Sequence, residues 1–168
     1  MNTFEWNEET PVTANNLNEM QNIINDNITT TVNDKNIITV GLSTYSSGVT
    51  TGSTVPFNIV KGQIGEELTL YNNQIVIGSG ISKIKVSGNL GVRYNATNSK
   101  SYGFTIKKNS TTIMQTQTHK VITEPLSCSM APIIVDVSFE DVIYMTTNFT
   151  ASADVSELFT FLTIEAIA

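Results

Sequence analysis

From Ile37 to Ile167 the chain strings together short runs of Ile, Val and Thr, punctuated by Gly, Asn and Ser, with no helical spacing of apolar residues. A period of two sends successive side chains to opposite faces of a strand, so each run buries one face and wets the other. Turn residues at short intervals fold the runs back on one another. That patterning restricts the region to a sandwich or a barrel. Strands are expected over 37–44, 66–71, 74–77, 81–94, 101–108, 111–120, 130–137, 142–150 and 157–167, with Val55-Pro56-Phe57 as a short extended piece. Turns fall at Asn72-Asn73, Asn109-Ser110 and Phe139-Glu140-Asp141, and residues 48–53 read as a Gly/Thr/Ser loop. In the longest run, Ile81, Lys83, Lys85 and Ser87 share one side, Ser82, Ile84 and Val86 the other, and Gly88 and Gly91 mark a bend or bulge.

Residues 1–36 have a different pattern. Thr13 is a candidate N-cap, its hydroxyl placed to accept from an orphan N–H at a helix start. Leu17, Met20, Ile24 and Ile28 then recur at spacings of three, four and four, with Ile23 widening the stripe. The helix is expected over 13–29 and is expected to end at the Thr29-Thr30-Thr31 run. Five of the fourteen residues 13–26 are Asn (Asn15, Asn16, Asn18, Asn22, Asn25), a weak helix former, so it needs a surface to pack on. No second helix is expected in the chain. The stripe therefore faces either the downstream domain or copies of itself. Two domains are expected, an N-terminal segment over 1–36 and a β head over 37–168.

Residues 157–167 carry Leu158, Phe159, Phe161, Leu162, Ile164 and Ile167, apolar on both faces. Such a strand is a poor edge, because an exposed apolar edge invites aggregation. One face fills the sandwich, and a symmetric partner chain is the economical cover for the other. Phe159 and Phe161 serve either the core or that interface.

Charge and composition exclude several functions. The net charge is −6 and charged residues are 14% of the chain, which argues against a nucleic-acid reader. Hydrophobic residues at 40% allow a core. The chain has one Cys and one His, so neither a disulfide framework nor a multi-Cys/His zinc site is expected. No apolar run reaches the ~18 residues of a membrane span. Met1 to Glu9 have neither a basic start nor an apolar stretch, so no secretory signal is expected, and the lone Cys128 fits a reducing place of synthesis.

Two stretches resemble known families. Trp6-Asn7-Glu8-Glu9-Thr10-Pro11-Val12-Thr13-Ala14, followed by Leu17-Asn18-Glu19-Met20, resembles the short anchor that opens many fibre, baseplate and structural proteins of bacteriophages and prophages of low-GC bacteria. The Gly that often precedes Thr-Pro there is missing, as is the Gly after the Met. Over about 130 residues the β region resembles the tumour-necrosis-factor/complement-type head, a jelly roll that trimerises. The landmarks are Val55-Pro56-Phe57-Asn58, then Gln74 to Gly78 before the long 81–94 strand. They continue with Thr105-Ile106-Lys107-Lys108-Asn109-Ser110, the turn at 139–141 and the aromatic closing strand. Ser110 stands where that family has Gly, and Phe139-Glu140-Asp141 where it has Gly-Asp.

The resemblance implies a phage virion fibre or spike, made in the host cytoplasm and located in the virion. Trp6, Pro11 and Val12 would anchor it to other virion proteins. Leu17, Met20, Ile24 and Ile28 would form the helical seam of a homotrimer, and the jelly-roll head would contact the host cell surface. Alternatives are a capsid decoration or structural fibre without receptor binding, and a bacterial surface or spore-coat head of the same fold. The last normally carries a Gly-X-Y stalk, which this sequence lacks.

No catalytic constellation is legible, and no enzyme activity, cofactor or metal is expected. His119 lies between polar residues with no G-x-S-x-G motif near it. Gly78-Ser79-Gly80 has no helix after it to make a phosphate cradle. Cys128, alternating with small residues over Leu126-Ser127-Cys128-Ser129-Met130 as in a strand, reads as a buried structural thiol. Glu66-Glu67 and Asp136, Glu140 and Asp141 lack calcium-loop spacing and read as solvated turn acids. The sequons at Asn27, Asn95, Asn109 and Asn148 are expected to carry no glycan, as no secretory route is visible. A host glycan or protein is a possible ligand. Tyr94, Asn95, Asn98 and Tyr102 suit sugar recognition by hydrogen bonding and ring stacking, and suit an ordinary exposed loop equally well. Residues 46–53 are a second candidate loop.

Overall fold

The computed structural model describes residues 14–33, 35–93, 100–120 and 126–167. The chain divides into two units, Met1–Lys35 and Asn36–Ala168. In the first, α1 (Ala14–Asn33) is one helix of 20 residues. It continues through Thr29-Thr30-Thr31, where the sequence predicts a stop. β-branched residues cost a helix only a few tenths of a kcal/mol each, and no Gly or Pro interrupts the run. Gln21 Nε2 donates to Asn25 Oδ1 one turn on, at 2.9 Å. Leu17 and Ile24 are exposed, while Met20 and Ile23 are half-buried. Trp6, Pro11, Val12 and Thr13 lie outside the described residues, and so does the side chain of Ile28.

The second unit contains thirteen strands among the described residues. They are β1 (Ile37–Gly41), β2 (Ser46–Val49), β3 (Ile59–Ile64), β4 (Leu68–Tyr71), β5 (Gln74–Ile77), β6 (Lys83–Arg93) and β7 (Lys100–Lys108). They continue as β8 (Thr111–Lys120), β9 (Leu126–Ser129), β10 (Ile133–Asp136), β11 (Val142–Thr147), β12 (Ala153–Val155) and β13 (Phe161–Ala166). Two antiparallel sheets form. An eight-stranded sheet runs β2-β12-β6-β13-β1-β3, with β12 and β13 pairing with successive stretches of one edge of β6 and β9 and β10 with the other. A five-stranded sheet runs β4-β5-β11-β7-β8. The sheets pack face to face as a jelly-roll sandwich.

The core is what the alternation dictates. Ile38, Val40, Ile84, Val86, Leu90, Val92, Leu162 and Ile164 point inward from the eight-stranded sheet, and all are fully buried. Leu68, Ile75, Ile77, Tyr102, Phe104, Ile106, Ile143 and Met145 are buried in the five-stranded sheet. Each large aliphatic side chain buried this way contributes about 1.5–3 kcal/mol. β13 is no edge: it pairs with β1 on one side and β6 on the other.

Several sequence expectations need correction. The longest strand begins at Lys83, so Ile81 precedes it and is buried rather than sharing a face with Lys83 and Lys85. Gly88 marks no bulge, because the β6–β13 register runs unbroken from Ile84 to Asn89, whereas Gly91 lies where residues 156–160 interrupt the register between the Asn89–Phe161 and Val92–Val155 pairs. Both glycines are points of close approach. A Cβ on Gly91 would sit 2.6 Å from Phe159 Cβ, and one on Gly88 would sit 3.0 Å from Met145 Cε. The bulges lie instead between Thr39 and Val40, between Ile106 and Lys107, and between Ala153 and Val155. The closing strand does not start at 157. Residues 157–159 form a turn, and β13 begins at Phe161. The run 130–137 supplies only β10, preceded by a separate β9. Three strands escape the sequence pattern. β2 and β12 are too short to show a period, and β3 is exposed along its length, so its side chains carry no alternation.

Two glycine substitutions test this packing. Gly91→Ala forces the 156–160 turn off β6 and is expected to lower stability by about 1–3 kcal/mol in urea denaturation. Gly62→Ala, with nothing within 4 Å of the new Cβ, is expected to leave stability unchanged or slightly raised.

Candidate functional site

Two surfaces concentrate built structure. The first is the outer side of the eight-stranded sheet. On β6, odd-numbered residues from Lys83 to Arg93 point away from the core, and the β12–β13 connection crosses over them. Ser156 N donates to Gly91 O at 2.8 Å, and Gly91 N donates to Thr160 Oγ1 at 3.1 Å. Asn89 Nδ2 donates to Phe159 O, and Asn89 Oδ1 accepts from Ser127 Oγ at 2.7 Å. Lys61 Nζ, reaching from β3, donates to Glu157 O at 3.0 Å. These bonds hold residues 156–160 rigidly against the sheet. Their effect is to present Leu158, 63% exposed, and Phe159, 49% exposed. Phe161 is half-buried on the same outer face, paired with Gly41 on one side and Asn89 on the other. The rest of β13's outer face is Thr163 and Glu165, so the apolar surface is confined to its start. Glu165 pairs with Lys85 Nζ at 3.0 Å.

The second surface is the tip where the β7–β8 and β10–β11 turns meet. Asn109 and Glu140 adopt left-handed backbone conformations, with φ of 53° and 65°. Asn tolerates this through its short polar side chain, whereas Glu needs support from its surroundings. That support is the Asp141 carboxylate. It accepts from Asn109 Nδ2 at 2.7 Å and from Ser138 N at 2.9 Å, and Lys108 Nζ lies 3.6 Å away. Asn109 Oδ1 accepts from Val142 N at 3.0 Å, and Glu140 N donates to Ile77 O at 2.9 Å. Partial burial pushes the Asp141 carboxyl up. The Asn109 and Ser138 hydrogen bonds and the Lys108 charge outweigh it and hold the group below its ordinary value. Phe139 stands exposed at this tip.

The other sequence candidates are placed as follows. Tyr102 is not a loop residue. It is fully buried in β7, on the same face as Phe104 and Ile106, with its ring edge-on to Phe149 at 5.5 Å. Tyr94, Asn95 and Asn98 lie outside the described residues. The second candidate loop is strapped down. Ser46 to Val49 form β2, Gly48 N donates to Asp154 Oδ1, and Thr147 Oγ1 donates to Thr50 O. Glu67 is a structural acceptor for the 78–80 turn: Ser79 Oγ reaches its Oε2 at 3.3 Å, and Gly78 N reaches its carbonyl at 2.6 Å. His119 lies in β8 opposite Ser101. Cys128 is buried in β9, its Sγ 3.5 Å from Tyr102 O. Burial pushes its thiol up, and a hydrogen bond with Thr118 offsets this in part. Among the described residues no three of His, Cys, Asp and Glu converge to hold a metal, and no helix is long and apolar enough to cross a membrane.

Comparison with solved structures fixes the class of fold. The chain superposes on murine APRIL at pH 5.0 with a TM-score of 0.59 and 12% identity, over 80% of this chain and 100% of that one. Eiger TNF from S. frugiperda gives 0.59 and 11%, over 80% and 92% of the two chains. The PRD1 vertex protein P5 gives 0.54 and 14%, over 82% and 99%. No family model and no curated protein matches the chain. The domain is thus a jelly roll of the TNF-like kind. At these identities the likeness establishes the fold alone.

Two outcomes are expected. Asp141 has a lowered folded-state value, so its stabilisation is complete above the ordinary carboxylate range near pH 4 and is lost as pH falls through the folded value. Asp141→Asn should therefore destabilise the protein at neutral pH, and the gap to wild type should close as pH falls below the folded value. The Cys128 thiol should resist a thiol reagent at neutral pH in the native state and react promptly in denaturant.

Proposed function

We propose that the chain is a non-enzymatic virion structural protein, a fibre or spike whose jelly-roll head forms a homotrimer and contacts the host cell surface. One observation carries this reading. The 156–160 turn is bonded into the outer face of the eight-stranded sheet and holds Leu158 and Phe159 out beside Phe161. A rigid, exposed apolar knob on a sheet is costly in a monomer and useful between copies. The likeness to a vertex protein supports a place on a virion. The N-terminal motif assigns anchoring to Trp6, Pro11 and Val12. The exposed Leu17 and Ile24 on α1, with Met20 and Ile28 in the same stripe, support a seam between three helices. Function then follows from avidity: three weak sites on one rigid body engage a repetitive surface far more tightly than one.

The test is solution mass by light scattering on the full chain and on residues 36–168. Each should give three times its own chain mass, which is 18.3 kDa for the full chain. Phe159→Asp should give a folded monomer by circular dichroism. The labelled trimer should adsorb to cells that the virion infects, in competition with the virion itself. A monomer in both forms would overturn the trimeric spike, and failure to adsorb would remove the host-contact role.

A further inference from the structure

The outer face of the five-stranded sheet carries a second arrangement, separate from the apolar knob. Tyr71 of β4 is opposite Gln74 of β5. Ile75 is opposite Ile143, so Gln74 falls beside Tyr144 of β11. Tyr144 is opposite Lys107 of β7, and Lys107 is opposite Thr112 of β8. Five side chains therefore form one line across all five strands: Tyr71, Gln74, Tyr144, Lys107, Thr112. Their neighbours Ile75, Ile106, Ile143 and Met145 are buried in the core, so the pleat turns this line outward. Tyr71 is 68% exposed, and Gln74, Tyr144 and Lys107 are half-buried.

The line is rigid. Asn72 and Asn73 both have positive φ, 46° and 65°, the two-residue turn that matches strand twist and fixes Tyr71 against Gln74. The two tyrosines are two strands apart, roughly 10 Å. The rows beside it are Thr69, Val76 and Val142 on one side and Thr105, Thr146 and Gln115 on the other. None is acidic, in a chain of net charge −6. Lys107 has no ion-pair partner among the described residues.

We propose that this strip binds an extended glycan. Aromatic faces two strands apart match alternate rings of an extended hexopyranose chain, whose C–H faces stack on tyrosine. The amide of Gln74, the hydroxyl of Thr112 and the ammonium of Lys107 are the hydroxyl partners such a chain needs. A nucleic acid would require a set of cations, and the strip has one. A protein partner would require an apolar centre, and the strip is polar between its rings. This gives the host-contact part of the preceding reading a face and a ligand class, and rests on it for the source of the glycan.

The probes are chitohexaose, which is neutral, and hexagalacturonate, which is acidic, titrated calorimetrically into the full-length protein. Saturable binding of at least one is expected. It should weaken at least about tenfold in Tyr71→Ala and in Tyr144→Ala. Tyr45→Ala, an exposed tyrosine off this sheet, should bind as wild type. If hexagalacturonate is the ligand, Lys107→Ala should weaken it. Tyr71 is largely exposed, so its variant should stay folded, and a thermal melt checks both variants. No saturable binding of either hexamer, or binding unchanged in both tyrosine variants, would overturn the proposal. Its failure and that of the trimeric spike are separable: the spike is read by mass, and the strip by heat of hexamer binding.

Discussion

Every surface described depends on the burial of two opposed sets of aliphatic side chains, with Ile84, Val86, Leu162 and Ile164 against Ile75, Phe104, Ile143 and Met145 at their centre. The hydrophobic effect fixes which face of each strand turns inward, and a one-residue slip would invert that choice along the whole strand. Once the inner faces are set, the outer faces are set too. That is how Phe161 comes to lie beside Asn89, and how Tyr71 and Tyr144 come to lie on one line. The outer chemistry is positioned by the core rather than by contacts among the outer residues.

Alternation was legible wherever a strand had one wet face and one dry face. Ile84 and Val86 against Lys83 and Lys85 gave the long strand, and Asn72-Asn73 and Asn109-Ser110 gave two turns of the five-stranded sheet. Asn is legible in such turns because it tolerates the left-handed conformation. The sequence was silent where a segment's role comes from distant residues. Nothing local shows that Gly91 is small so that Phe159 can approach it. Nothing local shows that Leu158 and Phe159 leave the strand pattern to form a turn bonded to β6. Tyr102 was misleading for a related reason. It ends a Tyr/Asn/Ser stretch that reads as a loop, yet it is in step with Phe104 and Ile106 and belongs to their face. The strip on the five-stranded sheet could not be seen at all, because its five members come from five strands.

The two outer faces differ in chemistry. The eight-stranded sheet offers a small apolar knob held by hydrogen bonds to the backbone of β6. The five-stranded sheet offers aromatic rings separated by polar groups. The two faces lie on opposite sides of one sandwich and share no residues, so either can vary without disturbing the other. The Asp141 clamp plays a third part. It joins two turns at one end and keeps that tip fixed while Phe139 stays exposed.

The position of β13 has a consequence for how the molecule comes into being. It joins β6 to β1, yet it follows every other strand among the described residues. As the ribosome delivers residues in order, β1 and β6 wait without the piece that connects them, and the five-stranded sheet can complete its pairing first. The eight-stranded sheet closes only by contacts distant in sequence, such as Ile37 with Glu165, whose loop-closure cost makes them slow. During that interval the inner faces of β1 and β6 are uncovered. The vulnerable state of this protein is therefore the one in which β13 has not yet paired, and a chaperone or an early-assembling neighbour would act there.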